Sequence, residues 1–264
     1  MKPRLEVADV FREHGAQLLS RTRHAATFEQ LKVIRDILLC GTAALGGHLY
    51  QCGDCKREIP SYNSCRNRHC PRCQGSKAAQ WVLDRAKDLL PVPYFHTVFT
   101  LPNDFNPLVL RIRGVMYEIL FQAVKETILT VGKNNFKCEL GFFSVLHTWG
   151  QLLQLHPHIH CVIPGVGLLP DGGVHLFKDN YFLPDKVLSE VFRGKFICFL
   201  KRAYGAGKLE LKGELEFLKD KSQFEQFLNC TVRASWVVKS KPPFAGPQGV
   251  LKYLARYTHR VAIS

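Results

Sequence analysis

The spacing of apolar residues changes character along the chain, and the changes mark out its elements. Residues 1–26 are polar and basic, with Arg21, Arg23 and His24 near their end. From Phe28 to about Cys40 apolar residues recur at helical spacing, and Thr27 precedes them as an N-cap. A second helix is expected from a cap at Ser76 to about Leu90, where Pro91 and Pro93 stop it. Tyr94 to Leu101 carries threonine, valine and aromatics without a helical period and reads as a strand. Residues 106–131 read as helical, Phe142 to Trp149 and Leu155 to Ile163 as two strands on a short link, and Asp171-Gly172-Gly173 as a hairpin turn. Residues 185–204 again look helical, 208–228 mix charged and apolar residues without a clear period, and Thr231 to Lys239 reads as a strand. After the proline-glycine connector at 242–249 comes a helix running to about Arg260. This order predicts an α+β fold, a small antiparallel sheet flanked by helices. A helical, cysteine-bearing domain at 1–92 precedes a second domain at 93–264.

The strand Leu155 to Ile163 contains His156-Pro157-His158-Ile159-His160. Side chains alternate faces along a strand, so His158 and His160 point to one side, with His156 one step further along it. Two neutral imidazoles on one face can hold a divalent metal. Taken alone, such a pair is more often ordinary surface or core histidine. About a hundred residues later Tyr253 and Tyr257 stand four apart, which on a helix stacks both phenols on one face. Paired tyrosines are usually packing residues, but a phenolic oxygen beside a metal-polarised phosphate performs nucleophilic transesterification. The two motifs in one basic chain point to cutting and rejoining nucleic acid.

Cysteines add a second kind of site. Cys52-Gly53-Asp54-Cys55 and Cys70-Pro71-Arg72-Cys73 are two Cys-x-x-Cys knuckles separated by 14 residues, the pattern of a four-cysteine zinc ribbon. Cys65 is the first substitute ligand, and His48 and His69 leave open a mixed ligand set or a second metal. A disulfide cluster is the competing reading; with no leader segment evident, thiols of a cytosolic protein stay reduced and bind metal. Arg57, Arg66, Arg68, Arg72 and Lys77 surround these cysteines, either as a grip on DNA or as a solvated face.

Charge narrows the partner. Lys and Arg number 36 against 22 Asp and Glu, a formal charge of +14, as expected for a phosphate binder. No apolar run approaches the roughly 18 residues that span a bilayer. The expectation is a soluble, cytoplasmic protein whose partner is DNA rather than a membrane.

Taken together, His156 to His160, the run Lys241-Pro242-Pro243-Phe244-Ala245-Gly246-Pro247 leading into Tyr253-Leu254-Ala255-Arg256-Tyr257-Thr258-His259-Arg260, and the cysteine block resemble the IS91-type insertion-sequence transposases. These are two-tyrosine members of the HUH (His, hydrophobic, His) endonucleases, and the resemblance spans about residue 40 to the C-terminus. It implies an HUH-like sheet with the histidines on a central strand and the tyrosines on a helix nearby. It implies strand-specific nicking and joining of single-stranded element ends through a 5′-phosphotyrosine, in rolling-circle-like transposition. Zn²⁺ would be structural, and Mg²⁺ or Mn²⁺ would sit on His158 and His160. The expected third ligand is Gln151, whose amide oxygen suits Mg²⁺, with His156 as its rival. His96 and His147 are read as packing or supporting groups. Arg256 and Arg260, with Arg68 and Arg72, would contact the DNA backbone. Transposases of this family continue well beyond the tyrosine helix, so the chain also fits a truncated, binding-only protein or zinc-anchored regulator. A replication initiator or relaxase shares the chemistry.

Overall fold

The computed structural model describes residues 5–22, 26–177, 183–241, 249, 251 and 255. These fall into two compact units, one within Met1–Lys87 together with Ala255 and one within Asp88–Leu254.

The first unit opens with helices α1 (Val7–Thr22) and α2 (Phe28–Leu39). The Thr27 hydroxyl accepts from the Gln30 N–H and the Gln30 side chain accepts from the Thr27 N–H, a reciprocal capping box. Strands β1 (Gly47–Gln51) and β2 (Glu58–Tyr62) form a hairpin, and α3 (Pro71–Ala86) closes the unit. The α3 helix begins six residues earlier than a Ser76 cap would place it and ends before Leu90. Cys70 occupies the cap position and Pro71 starts the helix with its φ preset, so the first turn is laid down inside the cysteine cluster. Buried apolar side chains are few among residues 5–87: Ala8, Ile37, Cys40, Cys70 and Cys73 form the cluster.

The second unit begins with β3 (Tyr94–Thr100), followed by α4 (Asn106–Arg111) and α5 (Arg113–Val131). The helical stretch expected at 106–131 is thus broken at Ile112, whose φ of −124° and ψ of 48° are not helical. Then come β4 (Glu139–Leu140), β5 (Phe143–Trp149), β6 (Leu155–Pro164), β7 (Val166–Leu168) and β8 (Val174–Leu176). Gly172 takes the turn of the last hairpin at φ +85°, where a side chain would be strained. The unit continues with α6 (Asp185–Gly205), α7 (Lys221–Val232) and β9 (Val238–Lys241). The strand expected from Thr231 therefore starts later. Asp220 caps α7 by accepting from the Gln223 N–H, and Thr231 is buried in the last turn, where its hydroxyl donates to the Leu228 carbonyl.

The main sheet is antiparallel, in the order β5-β6-β3-β9. One face presents Phe95, Phe99, Ile159, Cys161, Ile163 and Val238 to a core that includes Leu120, Phe192, Phe196 and Trp236 from the helical side. Phe99 meets Phe192 edge-on at 5.3 Å, and Phe105 meets Phe196 at 5.1 Å. The opposite face, by the same alternation, carries His96, His147, His158 and His160. The architecture is the α+β arrangement expected, with small antiparallel sheets and helices. No helix among the described residues is long and apolar enough to cross a membrane.

Candidate metal centres

His158 and His160 sit on β6, an interior strand flanked by β5 and β3. The register sets His147 of β5 directly opposite His158. His147, His158 and His160 each offer a ring nitrogen to one group, all within 4.8 Å of one another. All three are buried. His147 Nδ1 and His158 Nε2 are 3.1 Å apart. Two nitrogens about 2.1 Å from one metal lie roughly 3.0–3.4 Å apart, so the spacing fits a shared ion.

The outer nitrogens are also placed. His158 Nδ1 lies 2.7 Å from the His156 carbonyl and donates to it, which directs Nε2 inward. His160 Nδ1 lies 2.9 Å from His96 Nε2, and the two rings are parallel, with centroids 5.1 Å apart. With Nδ1 of His160 engaged by His96, Nε2 is the nitrogen this ring could offer to an ion. Burial pushes His160 down to about 3, helped by the neighbouring His158, His96 and His147. Burial likewise lowers His147 to about 4 and His96 to about 4, and it lowers His158. Near neutral pH these rings are therefore uncharged, as a metal requires of imidazole.

Gln151, expected as the third ligand, lies exposed in the β5–β6 turn beyond the Trp149–Leu155 pair. His156 is half-buried and contributes its carbonyl. His147, expected to be a supporting group, stands in the third position instead. Alternation could place His158 and His160, but only the pairing of a second strand could place His147. Tyr253, Tyr257, Arg256 and Arg260 lie outside the described residues.

In the first unit Cys40, Cys65, Cys70 and Cys73 converge, their sulfurs all within 4.8 Å of one another. Cys73 Sγ is 3.6 Å from Cys40 Sγ and 3.6 Å from Cys65 Sγ. A tetrahedral zinc with bonds near 2.3 Å separates its sulfurs by about 3.8 Å, whereas a disulfide holds them at about 2.05 Å. All ten cysteines are free. Burial raises Cys65 and Cys70 above the usual thiol range. At Cys73 burial is outweighed by the Cys40, Cys65 and Cys70 thiols and the Arg66 backbone, and its pKa is lowered. The loop bearing Cys65 is tied down from both sides. Asn67 donates to Asp36 of α2 at 2.7 Å, and Gln74 of α3 donates to the Asn67 carbonyl at 3.3 Å.

This set differs from the ribbon pattern. Cys70 and Cys73 are present and Cys65 joins them, but the fourth sulfur is that of Cys40 at the end of α2. Cys52 and Cys55 stand outside the four, at the β1–β2 turn, where Lys56 has φ +58° and its N–H reaches the Cys52 carbonyl at 3.1 Å. The Cys55 and Asp54 backbone N–H groups and the Cys55 thiol hold Cys52 below the usual thiol range. His48 is exposed on β1 and His69 is half-buried beside Cys70. Cys40 carries no Cys-x-x-Cys partner, so spacing could not single it out.

Two family models match the chain: "Transposase zinc-binding domain" over residues 10–101 and the Y2_Tnp family, described as "Putative transposase", over 141–264. The chain belongs to the IS91-type transposase family. It is 46% identical to "Putative transposase y4qJ" of Sinorhizobium fredii over 98% of its own length and 66% of that protein. It is 27% identical to the transposase for insertion sequence element IS801 of Pseudomonas savastanoi pv. phaseolicola, over 89% of its own length and 56% of that protein. The chain thus spans about two thirds or less of these relatives. A loose likeness, with a TM-score of 0.33 and 13% identity, is to conjugative relaxase TrwC in complex with mutant oriT DNA. It covers 60% of this chain and 71% of that one.

Proposed function

We propose that the chain is the nicking and joining part of a DNA transposase that acts on single-stranded element ends. The observation that carries this reading is the buried group His147, His158 and His160 on one sheet face, within a chain of this family. Three neutral imidazoles suit a divalent transition ion, so of the two ions expected Mn²⁺ fits better than Mg²⁺, which prefers oxygen ligands. When bound, such an ion supplies Lewis-acid polarisation of a phosphate oxygen.

The chain's own residues do the rest. His156, through its carbonyl, and His96, through its ring, fix the tautomers of His158 and His160. Tyr253 or Tyr257, placed by sequence at helical spacing, attacks phosphorus through its phenolic oxygen. The P–O3′ bond breaks, leaving a 5′-phosphotyrosine and, after proton uptake, a free 3′-hydroxyl. Attack of a 3′-hydroxyl on that phosphotyrosine restores the phosphodiester and releases the phenol. Arg256 and Arg260 are assigned to the strand backbone beside the tyrosines. Cys40, Cys65, Cys70 and Cys73 are assigned to a structural Zn²⁺ that holds the first unit in shape.

The test is incubation of the purified protein with labelled single-stranded element ends and Mn²⁺, scoring covalent protein–DNA adducts. An adduct is expected from the wild type, and it should disappear in His158→Ala/His160→Ala and in Tyr253→Phe/Tyr257→Phe. An adduct that survives both double variants, or a folded wild type that binds DNA without forming one, would overturn the reading.

A further inference from the structure

Within the first unit a cleft of about 300 Å³ opens beside the cysteine cluster, with Cys73 and Gly41 in its wall. Three cationic residues line it, Arg66, Arg72 and Lys77, together with Ser64, Ser76 and Tyr62. No carboxylate is among its lining residues. The cleft is assembled from separate parts of the chain. Tyr62 ends β2, Arg66 follows Cys65 with φ +54°, and Arg72, Ser76 and Lys77 come from the first two turns of α3. Arg72 is fixed from behind. Its Nη1 donates to the Cys40 carbonyl at 3.3 Å, and Gly41, at φ +70°, leaves the space its guanidinium occupies. One of five guanidinium N–H groups is used there, and an anion can be met by the others.

We infer that this cleft docks one nucleotide of a single DNA strand, with its phosphate on Arg66, Arg72 and Lys77 and its base against Tyr62. Three converging cations and two hydroxyls without a carboxylate make a phosphate site. An exposed tyrosine ring at the same opening adds the stacking partner that suits an unpaired base and that a base inside a duplex cannot use. The volume is at the small end of ligand sites and matches one nucleotide rather than a longer stretch of strand. The inference rests on the DNA-processing reading above and adds a second point of attachment in the zinc-bearing unit.

The test uses the full chain loaded with zinc and a fluorescein-labelled 12-nucleotide single strand, with binding followed by anisotropy across a salt series. The paired variant Arg66→Asn/Lys77→Gln removes two cations. Asparagine accepts the positive φ at position 66, so the loop is not disturbed. Its affinity should fall about tenfold or more, and the slope of log K against log salt should become shallower by about 0.7 for each phosphate that is no longer neutralised. Tyr62→Leu should weaken the strand about fivefold or more while Tyr62→Phe keeps it, and neither should change binding of the matching duplex. Unchanged affinity and slope in Arg66→Asn/Lys77→Gln would overturn the inference. So would a loss of bound zinc in that variant with affinity intact, since the cations would then serve only the thiolate cluster. If both zinc and affinity fall, the Tyr62 pair decides: equal binding by Tyr62→Leu and Tyr62→Phe overturns it. Normal adducts with unchanged affinity in the cation variant would remove the cleft alone. Affinity loss in that variant from a wild type that forms no adducts would remove the nuclease reading alone.

Discussion

The two units are held together by different physics. In the second, a continuous core runs from the sheet face of Phe95, Phe99 and Ile159 through Phe105, Phe192, Phe196 and Trp236. Each of the six largest fully buried side chains, Phe95, Phe99, Phe105, Phe192, Phe196 and Phe224, belongs to it. Among the described residues of the first unit the buried apolar cluster holds just Ala8 and Ile37 besides three cysteines, and every position of strands β1 and β2 is exposed. A two-stranded hairpin is marginal by itself, and a unit this size with so small a core needs a staple. On the reading proposed above, metal would therefore play opposite parts in the two units. The cysteine centre would substitute for a core, whereas the histidine group lies on a sheet whose other face is already packed.

The largest expected effect follows from that contrast. Removing zinc with a strong chelator, or Cys73→Ser, should abolish protease resistance in residues 5–87 and leave the second unit folded. Structural zinc contributes an apparent 10–16 kcal/mol in small zinc domains. Limited proteolysis with metal analysis checks it, and simultaneous collapse of both units would break the comparison. Next in size is Phe192→Ala. It should destabilise the second unit by about 3–5 kcal/mol in denaturant titrations without altering zinc content.

His96→Ala should weaken Mn²⁺ binding at the histidine centre about 10–100-fold by releasing the orientation of His160, a change readable by metal titration. Equal affinity in this variant would leave His96 a packing residue. The same buried rings give the metal-free second unit a pH dependence. Their folded pKa values lie below the usual 6.5, at about 4 for His96 and His147 and about 3 for His160, so between these values and 6.5 the unfolded chain holds more protons. Stability should be fully present above about pH 6.5 and fall as pH drops towards 3, as followed by urea unfolding at a series of pH values. The smallest effect is expected of Cys52→Ser/Cys55→Ser, which should retain the zinc that Cys40→Ser loses. The reverse result would restore the two-knuckle ribbon.

Much of the architecture could be read locally. Thr27 as a cap, the strand beginning at Tyr94, the strands either side of residue 150 and the Asp171-Gly172-Gly173 turn all follow from nearest neighbours. The helix break at Ile112, the early start of α3 and the length of α7 did not, because packing and the cysteine cluster override weak local preferences. The cation cleft was legible only as a scatter of basic residues around the cysteines. Its convergence depends on the Cys65 loop folding back onto α3.

What the sequence alone determined is whatever depends on a short repeat. Alternation turned His158 and His160 to one face, and two-residue spacing paired Cys70 with Cys73. What the tertiary structure decided is which distant residue completes each set. His147 reaches His158 because β5 and β6 pair with an irregularity between His147 and Trp149, and a one-residue slip would have turned it to the other face. Cys40 reaches Cys65 because α2 ends against the Cys65–Cys70 loop, a juxtaposition that Asn67 and Asp36 hold across 31 residues of sequence. Periodicity is a property of neighbours along the chain, while register and docking are settled by the burial and hydrogen bonding of elements that meet only when the chain has folded.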